Sequence, residues 1–364
     1  MDYEDTHDGA RGCFAQYLRI GKHIVGPGNP AFIIAEVAQT HDGSLGLAHS
    51  FVDAIADTGA NAVKFQTHIA SAESSPMEPF RVPFSYEDSS RYGYWVRTGF
   101  TEDQWIGLAE HARKRGLVFL SSPFSVEAVR LLARLHMDAW KIGSGEIGND
   151  LLLKAVLEET GPCLVSTGLG TMSEVERTVE RLRAAGREFA LLQCTSMYPT
   201  PLEKVGLNVL ESYKRFNCPL GVSDHSGTLF PGLAALARGY RILEVHATFS
   251  RSMFGPDVSS SLTMEEVSFL VEAAKAFATM DLIVDKDEII EGLKDTRTIF
   301  DRSLCAIRDL SRGSAVAEGD LAALKPGGGI PVSEINTIIG RRLRVAVASG
   351  HRFSWEDFDG GAWT

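Results

Sequence analysis

The chain has 364 residues, is 44% hydrophobic and 9% aromatic, and carries a formal net charge of −11. That suffices for one large core and a smaller domain, and the acidic balance argues against a nucleic-acid or anionic-membrane partner. No apolar run is long enough to span a bilayer, and five Cys without a CxxC pair point to reduced thiols in a cytoplasmic protein.

The polar, acidic start (MDYEDTHDGARG) does not read as a signal peptide. Residues 1–30 read as a loose N-terminal arm ending in GPGNP. A rhythm then begins. AFIIAEVA (31–38) is an apolar strand, and a helix is expected from Ser44 to Asp57, with Leu47, Phe51 and Ile55 on one face. AVKFQT (62–67) is the next strand. An insertion at 71–100 follows, carrying Phe84, Tyr86, Tyr92, Tyr94 and Trp95, then a helix from Thr101 to Arg115. The insertion is read either as a lid over a site or as a packed surface loop.

Six further strands follow: VFLSSP, AWKIGSGE, CLVSTG, FALLQCT, LGVSDHS and ILEVHAT. Cys163 and Cys194 sit in these runs as small buried hydrophobes. A plausible helix follows each strand, the clearest being Thr171–Arg183 with Val175, Val179 and Leu182 at helical spacing. Eight strand–helix units over about 250 residues indicate an α/β fold, a (β/α)8 TIM barrel, over residues 31–280. No GxGxxG follows the first strand to favour a dinucleotide-binding open sheet. Charged residues 281–301 read as a helical linker. Residues 302–364, broken by Gly and Pro, read as a small β-rich module with little room for its own core; Gly327–Gly329 read as a flexible turn.

In this fold the active site lies at the C-terminal ends of the strands. Those ends carry Glu36; Lys64 and Gln66; Ser121 and Ser122; Lys141, Ser144 and Glu146; Ser166 and Thr167; Gln193 and Thr195; Ser223, Asp224 and His225; Glu244 and His246. His225 and His246 end consecutive strands and can hold one metal ion together. Lys64 and Lys141, with hydroxyls beside them, suit a phosphate and a carboxylate. The alternative is an ion network in which each Lys pairs with Glu36 or Glu146. The carboxylates Glu36, Glu146, Glu244 and Asp224 suit acid–base work or support of the histidines, and Asp224, adjacent to His225, points to the other face of its strand.

The ordered motifs IIAEVAQTHDGS, VKFQTHIA, SSPFS, KIGSGE, STGLGT, LLQCTSMYPTP, GVSDHSGT and EVHAT resemble the sialic acid (N-acetylneuraminate) synthase family over about residues 20–358. The resemblance makes residues 302–364 a SAF (antifreeze-like) domain. It implies a transferase that condenses phosphoenolpyruvate with an N-acetylated hexosamine, such as N-acetylmannosamine, giving a nine-carbon 2-keto sugar acid and phosphate. It also implies a divalent metal, Mn2+ with Mg2+ or Co2+ as alternatives, and a domain-swapped homodimer. His225 and His246 match metal ligands. Lys64, Ser122, Lys141, Ser144, Ser196 and Ser223 match positions at phosphoenolpyruvate; Glu36, Gln66, Glu146, Tyr198 and Asp257 match positions near the acceptor sugar. Glu36 and Glu146 are the candidates for moving a proton.

Three departures stand out. Ser196 replaces the usual Asn, Ala38 and Thr40 stand where Gly and Asn are common, and Lys325-Pro326-Gly327 replaces Arg-Pro-Gly. The family Arg reaches the acyl group in the partner's site, and Lys keeps its charge without its planar fork. Alternative readings are legionaminic, pseudaminic or deoxy-octulosonic acid synthesis by the same chemistry, a Schiff-base aldolase using Lys64 or Lys141, and a non-catalytic carbohydrate-binding protein.

Overall fold

The computed structural model describes residues 17–360; residues 1–16 of the expected arm, and residues 361–364, lie outside them. Eight parallel strands carry the first unit: β1 (Phe32–Ala38), β2 (Ala62–Thr67), β3 (Val118–Pro123), β4 (Trp140–Ile142), β5 (Cys163–Ser166), β6 (Phe189–Cys194), β7 (Leu220–Asp224) and β8 (Ile242–Thr248). They pair in the order β3-β2-β1-β8-β7-β6-β5-β4. That is the cyclic order of a (β/α)8 barrel with one seam, between β3 and β4. The strands are buried along their length, which is why they read as near-continuous apolar runs.

Eight helices cover the outside: α1 (Leu45–Thr58), α2 (Glu102–Lys114), α3 (Val126–Ala133), α4 (Asp150–Glu158), α5 (Met172–Ala184), α6 (Val209–Tyr213), α7 (Phe230–Ala237) and α8 (Met264–Met280). The sequence placed Ser44, Thr101 and Thr171 inside helices, but each is an N-cap. Its hydroxyl accepts from the third backbone N–H, and at Thr101 and Thr171 a Gln or Glu closes a capping box.

The arm is not loose throughout. Leu18–Ile20 and His23–Val25 form an antiparallel hairpin whose Leu18, Ile20 and Val25 are buried against Phe32, Ile34 and Leu120 at the lower barrel interior. Alternation of buried and exposed residues over so few positions gave too weak a signal for a strand.

A register shift separates Glu36 from Ala38 in the β1–β2 ladder, and Ala38 has φ +48°. This left-handed backbone favours glycine, which gives a physical reason for Gly being common at this position.

The chain divides at Leu282/Ile283 into two compact units. The second unit contains the helices Lys286–Gly292 and Lys294–Phe300 and an antiparallel pair, Ser303–Ala306 with Leu321–Leu324. Contrary to expectation it has its own core, including buried Leu304, Leu310, Ile330, Leu343, Phe353 and Phe358. Short segments hid this core, because each contributes only one or two buried apolar residues. Nor is Gly327–Gly329 a loose turn. A Cβ on Gly329 would lie 2.6 Å from Arg352 Cγ and 2.7 Å from the Phe353 carbonyl oxygen, so glycine permits close packing there.

Candidate active site

Register brings the rim side chains to one level. Glu36 on β1 is opposite His246 on β8 and Lys64 on β2, and Ser223 on β7 is opposite Glu244 on β8 and Cys194 on β6. Glu36 Oε1 lies 2.7 Å from Lys64 Nζ and accepts a 2.8 Å hydrogen bond from Gln66 Nε2. Lys64 donates to Ser122 Oγ at 3.1 Å and lies 3.8 Å from Glu244 Oε2. Lys141 donates to Ser166 Oγ at 2.8 Å and lies 3.4 Å from Glu244 Oε1, which also accepts from Ser223 Oγ at 2.8 Å. Lys64 and Lys141 are each 2% exposed, so these charges are held by one another. The expected pairing with Glu36 occurs. Pairing with Glu146 does not: Glu146 accepts from Asn149 Nδ2 at 2.7 Å, and Glu244 takes its place.

The electrostatics follow from burial and partners. Burial pushes the Glu36 carboxyl up, but Lys64 and the neighbouring His246 and Lys141 outweigh it, holding Glu36 below the usual carboxylate range. Burial lowers Lys64, while Glu244 and Glu36 outweigh it and raise it. At Lys141 burial prevails and lowers the ammonium pKa. Burial pushes the Cys194 thiol up to about 11, keeping it protonated; its Sγ lies 3.7 Å from His225 Nδ1.

The two histidine rings are 5.1 Å apart between centroids. Burial, with His246 beside it, lowers His225 to about 3, so the ring is neutral. Its Nδ1 lies 3.3 Å from the Thr195 carbonyl oxygen; the N–H donated there leaves Nε2 bare. His246 Nε2 is 3.6 Å from Glu36 Oε2, and its buried Nδ1 has no hydrogen-bond partner. A bare nitrogen on His225 and an orphaned nitrogen on His246 fit a divalent metal. No group of three His, Cys, Asp or Glu is arranged to hold one among the described residues, so non-protein oxygens would complete such a shell. Asp224 is directed away, as expected: it accepts from Ser226 N at 3.1 Å and Ser226 Oγ at 2.8 Å, and burial pushes it up to about 6.

These groups line an inner chamber of about 90 Å3. Gln66, Phe124, Ser144, Gly145 and Tyr198 also line a wider outer cavity of about 490 Å3. Glu146, Ser196 and Asp257 belong to the outer cavity. Ser196 and Ser144 hydroxyls are 2.7 Å apart, and burial raises the Glu146 carboxyl. Lys325 lies in the second unit, 4.8 Å from the Phe300 ring centroid.

The insertion supplies one wall of the outer cavity through Glu73, Arg81, Arg91 and Trp95. Its buried Tyr94 and Trp95 pack with Phe80, Phe84 and Tyr92, while Tyr86 is exposed. Arg81 donates to Asp257 Oδ1 at 2.8 Å and stacks 3.9 Å over the Tyr198 ring. The sequence reading missed Arg81, His68 and Glu73 because they stand outside the strand-end pattern. Cys194 was missed because its apolar run concealed a side chain at the chamber wall.

The NeuB family model matches residues 51–282 and the SAF domain model residues 301–359. The chain is 32% identical over 341 residues to the N,N'-diacetyllegionaminic acid synthase of Legionella pneumophila, covering 90% of this chain and 94% of that protein. It is 30% identical over 334 residues to a pseudaminic acid synthase of Campylobacter jejuni, covering 90% and 96%. A crystal structure of the N-acetylneuraminic acid synthetase of Leptospira borgpetersenii, in complex with citrate, superposes with a TM-score of 0.67 at 28% identity, covering 78% of this chain and 98% of that one. Matched across most of its barrel and again at its C-terminal end, the chain belongs to the NeuB family and carries a SAF domain.

Proposed function

We propose that the chain is a nonulosonic acid synthase that condenses phosphoenolpyruvate with an N-acylated amino sugar and water, releasing phosphate and a nine-carbon 2-keto sugar acid. The observation that carries this is the inner chamber, where two buried lysines, several hydroxyls and two buried histidines share one small space. Lys64 and Lys141 would take the phosphate and carboxylate, with Ser122, Ser166 and Ser223 donating around them. Glu36 or Glu146 would move the proton; Lys64 holds Glu36 below the usual carboxylate range, and burial raises Glu146. Gln66, Tyr198, Ser196 and Asp257 would orient the sugar at the mouth. A new bond joins carbon 3 of phosphoenolpyruvate to the sugar aldehyde carbon; water adds at carbon 2, and phosphate leaves with C–O cleavage.

Charge supports a metal in this reading. Lys64 and Lys141 already face Glu36 and Glu244, so the chamber offers a highly anionic substrate little net positive charge. His225 and His246 would hold a divalent ion, manganese first, which supplies Lewis-acid polarisation of a carbonyl. The proposed assembly is a homodimer in which the SAF domain of one subunit serves the other's site, and the role of Lys325 belongs to that assembly.

The lowered Lys141 ammonium favours one second reading, a Schiff-base aldolase. Borohydride trapping with pyruvate separates the two. The main test is phosphate release from phosphoenolpyruvate with manganese and a panel of N-acetylmannosamine, diacetamido-trideoxyhexoses, mannose and arabinose 5-phosphate. Release that needs an N-acylated amino sugar and stops with EDTA is expected. Release with none of these, or borohydride trapping, would contradict the proposal.

A further inference from the structure

A hydrogen-bonded chain links the insertion to the rim. The His68 side chain is 6% exposed, and its ring lies flat between Trp95 and Phe124, with centroids 3.6 and 4.4 Å away and both interplanar angles 11°. Its Nδ1 is 2.6 Å from Glu73 Oε1, on the helix Ala70–Glu73. Its Nε2 is 3.2 Å from Gln66 Oε1, and Gln66 Nε2 in turn donates to Glu36 at 2.8 Å. The reversed amide would set its carbonyl against the Glu36 carboxylate, acceptor against acceptor. The ring therefore decides which end of Gln66 faces Glu36.

We infer that His68 is a positioning residue: clamped by the aromatic pair and Glu73, it fixes the Gln66 amide that donates to Glu36. The role in turnover rests on the synthase reading. A carboxylate and an amide carbonyl flank the ring, and an Nε2–H aimed at the Gln66 carbonyl is the contact that holds the amide.

The test is a double-mutant cycle on the full-length chain with manganese, phosphoenolpyruvate and the acceptor that supports turnover. His68→Phe keeps a ring in the stack and removes both bonds. It should lower kcat about tenfold or more, with KM for phosphoenolpyruvate nearly unchanged. In a Gln66→Ala background it should cost nothing further, and His68→Gln, which keeps a donor, should recover most of kcat. Additive losses, or an effect on KM alone, would overturn the inference. If no acceptor supports turnover, the synthase reading fails and the ring is read directly in the full-length chain. Nitrogen-15 NMR should show a hydrogen-bonded histidine Nε2–H that is absent from His68→Gln; a bare His68 Nε2 would overturn the inference.

Discussion

Lys64 is enclosed by Glu36, Glu244 and the Ser122 hydroxyl, so it serves the fold and the proposed anion site together. Lys64→Met keeps the stem and removes the charge. Buried Glu36 then loses its lysine and Glu244 keeps only Lys141, and stability should fall by about 3 kcal/mol in chemical denaturation. The KM for phosphoenolpyruvate should rise about tenfold or more; an unchanged KM would place the anion elsewhere. Asp224 gives a pH signature of opposite sense to an ordinary ion-paired carboxylate. Its folded value is about 6 against 3.8, so between those values the folded chain holds a proton that the unfolded chain releases. Stability is therefore full below the lower value and declines as pH rises through the window, by on the order of 2–3 kcal/mol at most. Asp224→Asn should remove that decline; melting curves of the two proteins that stay parallel from pH 4 to 7 would contradict it. Both residues were visible in the sequence as polar breaks in apolar strands. Glu244 as the partner of Lys141 was not, because pairing across β4 and β8 depends on barrel closure and not on spacing along the chain.

At the scale of elements, periodicity served the barrel well and failed at its edges. β2, β3 and β8 occupy the expected residues, since a strand buried on both faces writes its length as an apolar run. β4 stops at Ile142, where the expected strand ran on to Glu146; Ser144–Glu146 turn instead as a short 3-10 helix that sets Ser144 and Glu146 at the mouth. The N-terminal hairpin was missed because its signal is three residues per strand. Its contribution is nevertheless large: Ile20 is fully buried. Ile20→Ala should destabilise the barrel by about 2–4 kcal/mol in denaturant titration, and a loss under 1 kcal/mol would show the hairpin to be a dispensable cover. The insertion gave its aromatic content away in the sequence but not its placement. Trp95 and Tyr94 pack within the insertion and also line the outer cavity, where Arg81 reaches Tyr198 and Asp257.

For the whole molecule, the order of eight strand–helix units was legible because each unit repeats the same change of period. The autonomy of the second unit was not, because its core is assembled from isolated residues such as Leu304, Ile330, Phe353 and Phe358. With that core, residues 283–364 should fold alone and melt cooperatively, and residues 1–282 should keep the far-ultraviolet spectrum of a folded barrel. Under the proposed assembly the shortened barrel loses acceptor-dependent turnover; full activity in residues 1–282 would remove the SAF domain from the site.

The central claim concerns the fate of phosphoenolpyruvate in the chamber bounded by Lys64, Lys141 and the two histidines. The most direct measurement supplies phosphoenolpyruvate with oxygen-18 in the bridge between carbon 2 and phosphorus, together with manganese and an N-acylated amino sugar, and follows the label by mass spectrometry. The account predicts labelled phosphate and a 2-keto acid three carbons longer than the acceptor, both dependent on the sugar. Unlabelled phosphate, or labelled phosphate released equally well without the sugar, would contradict it.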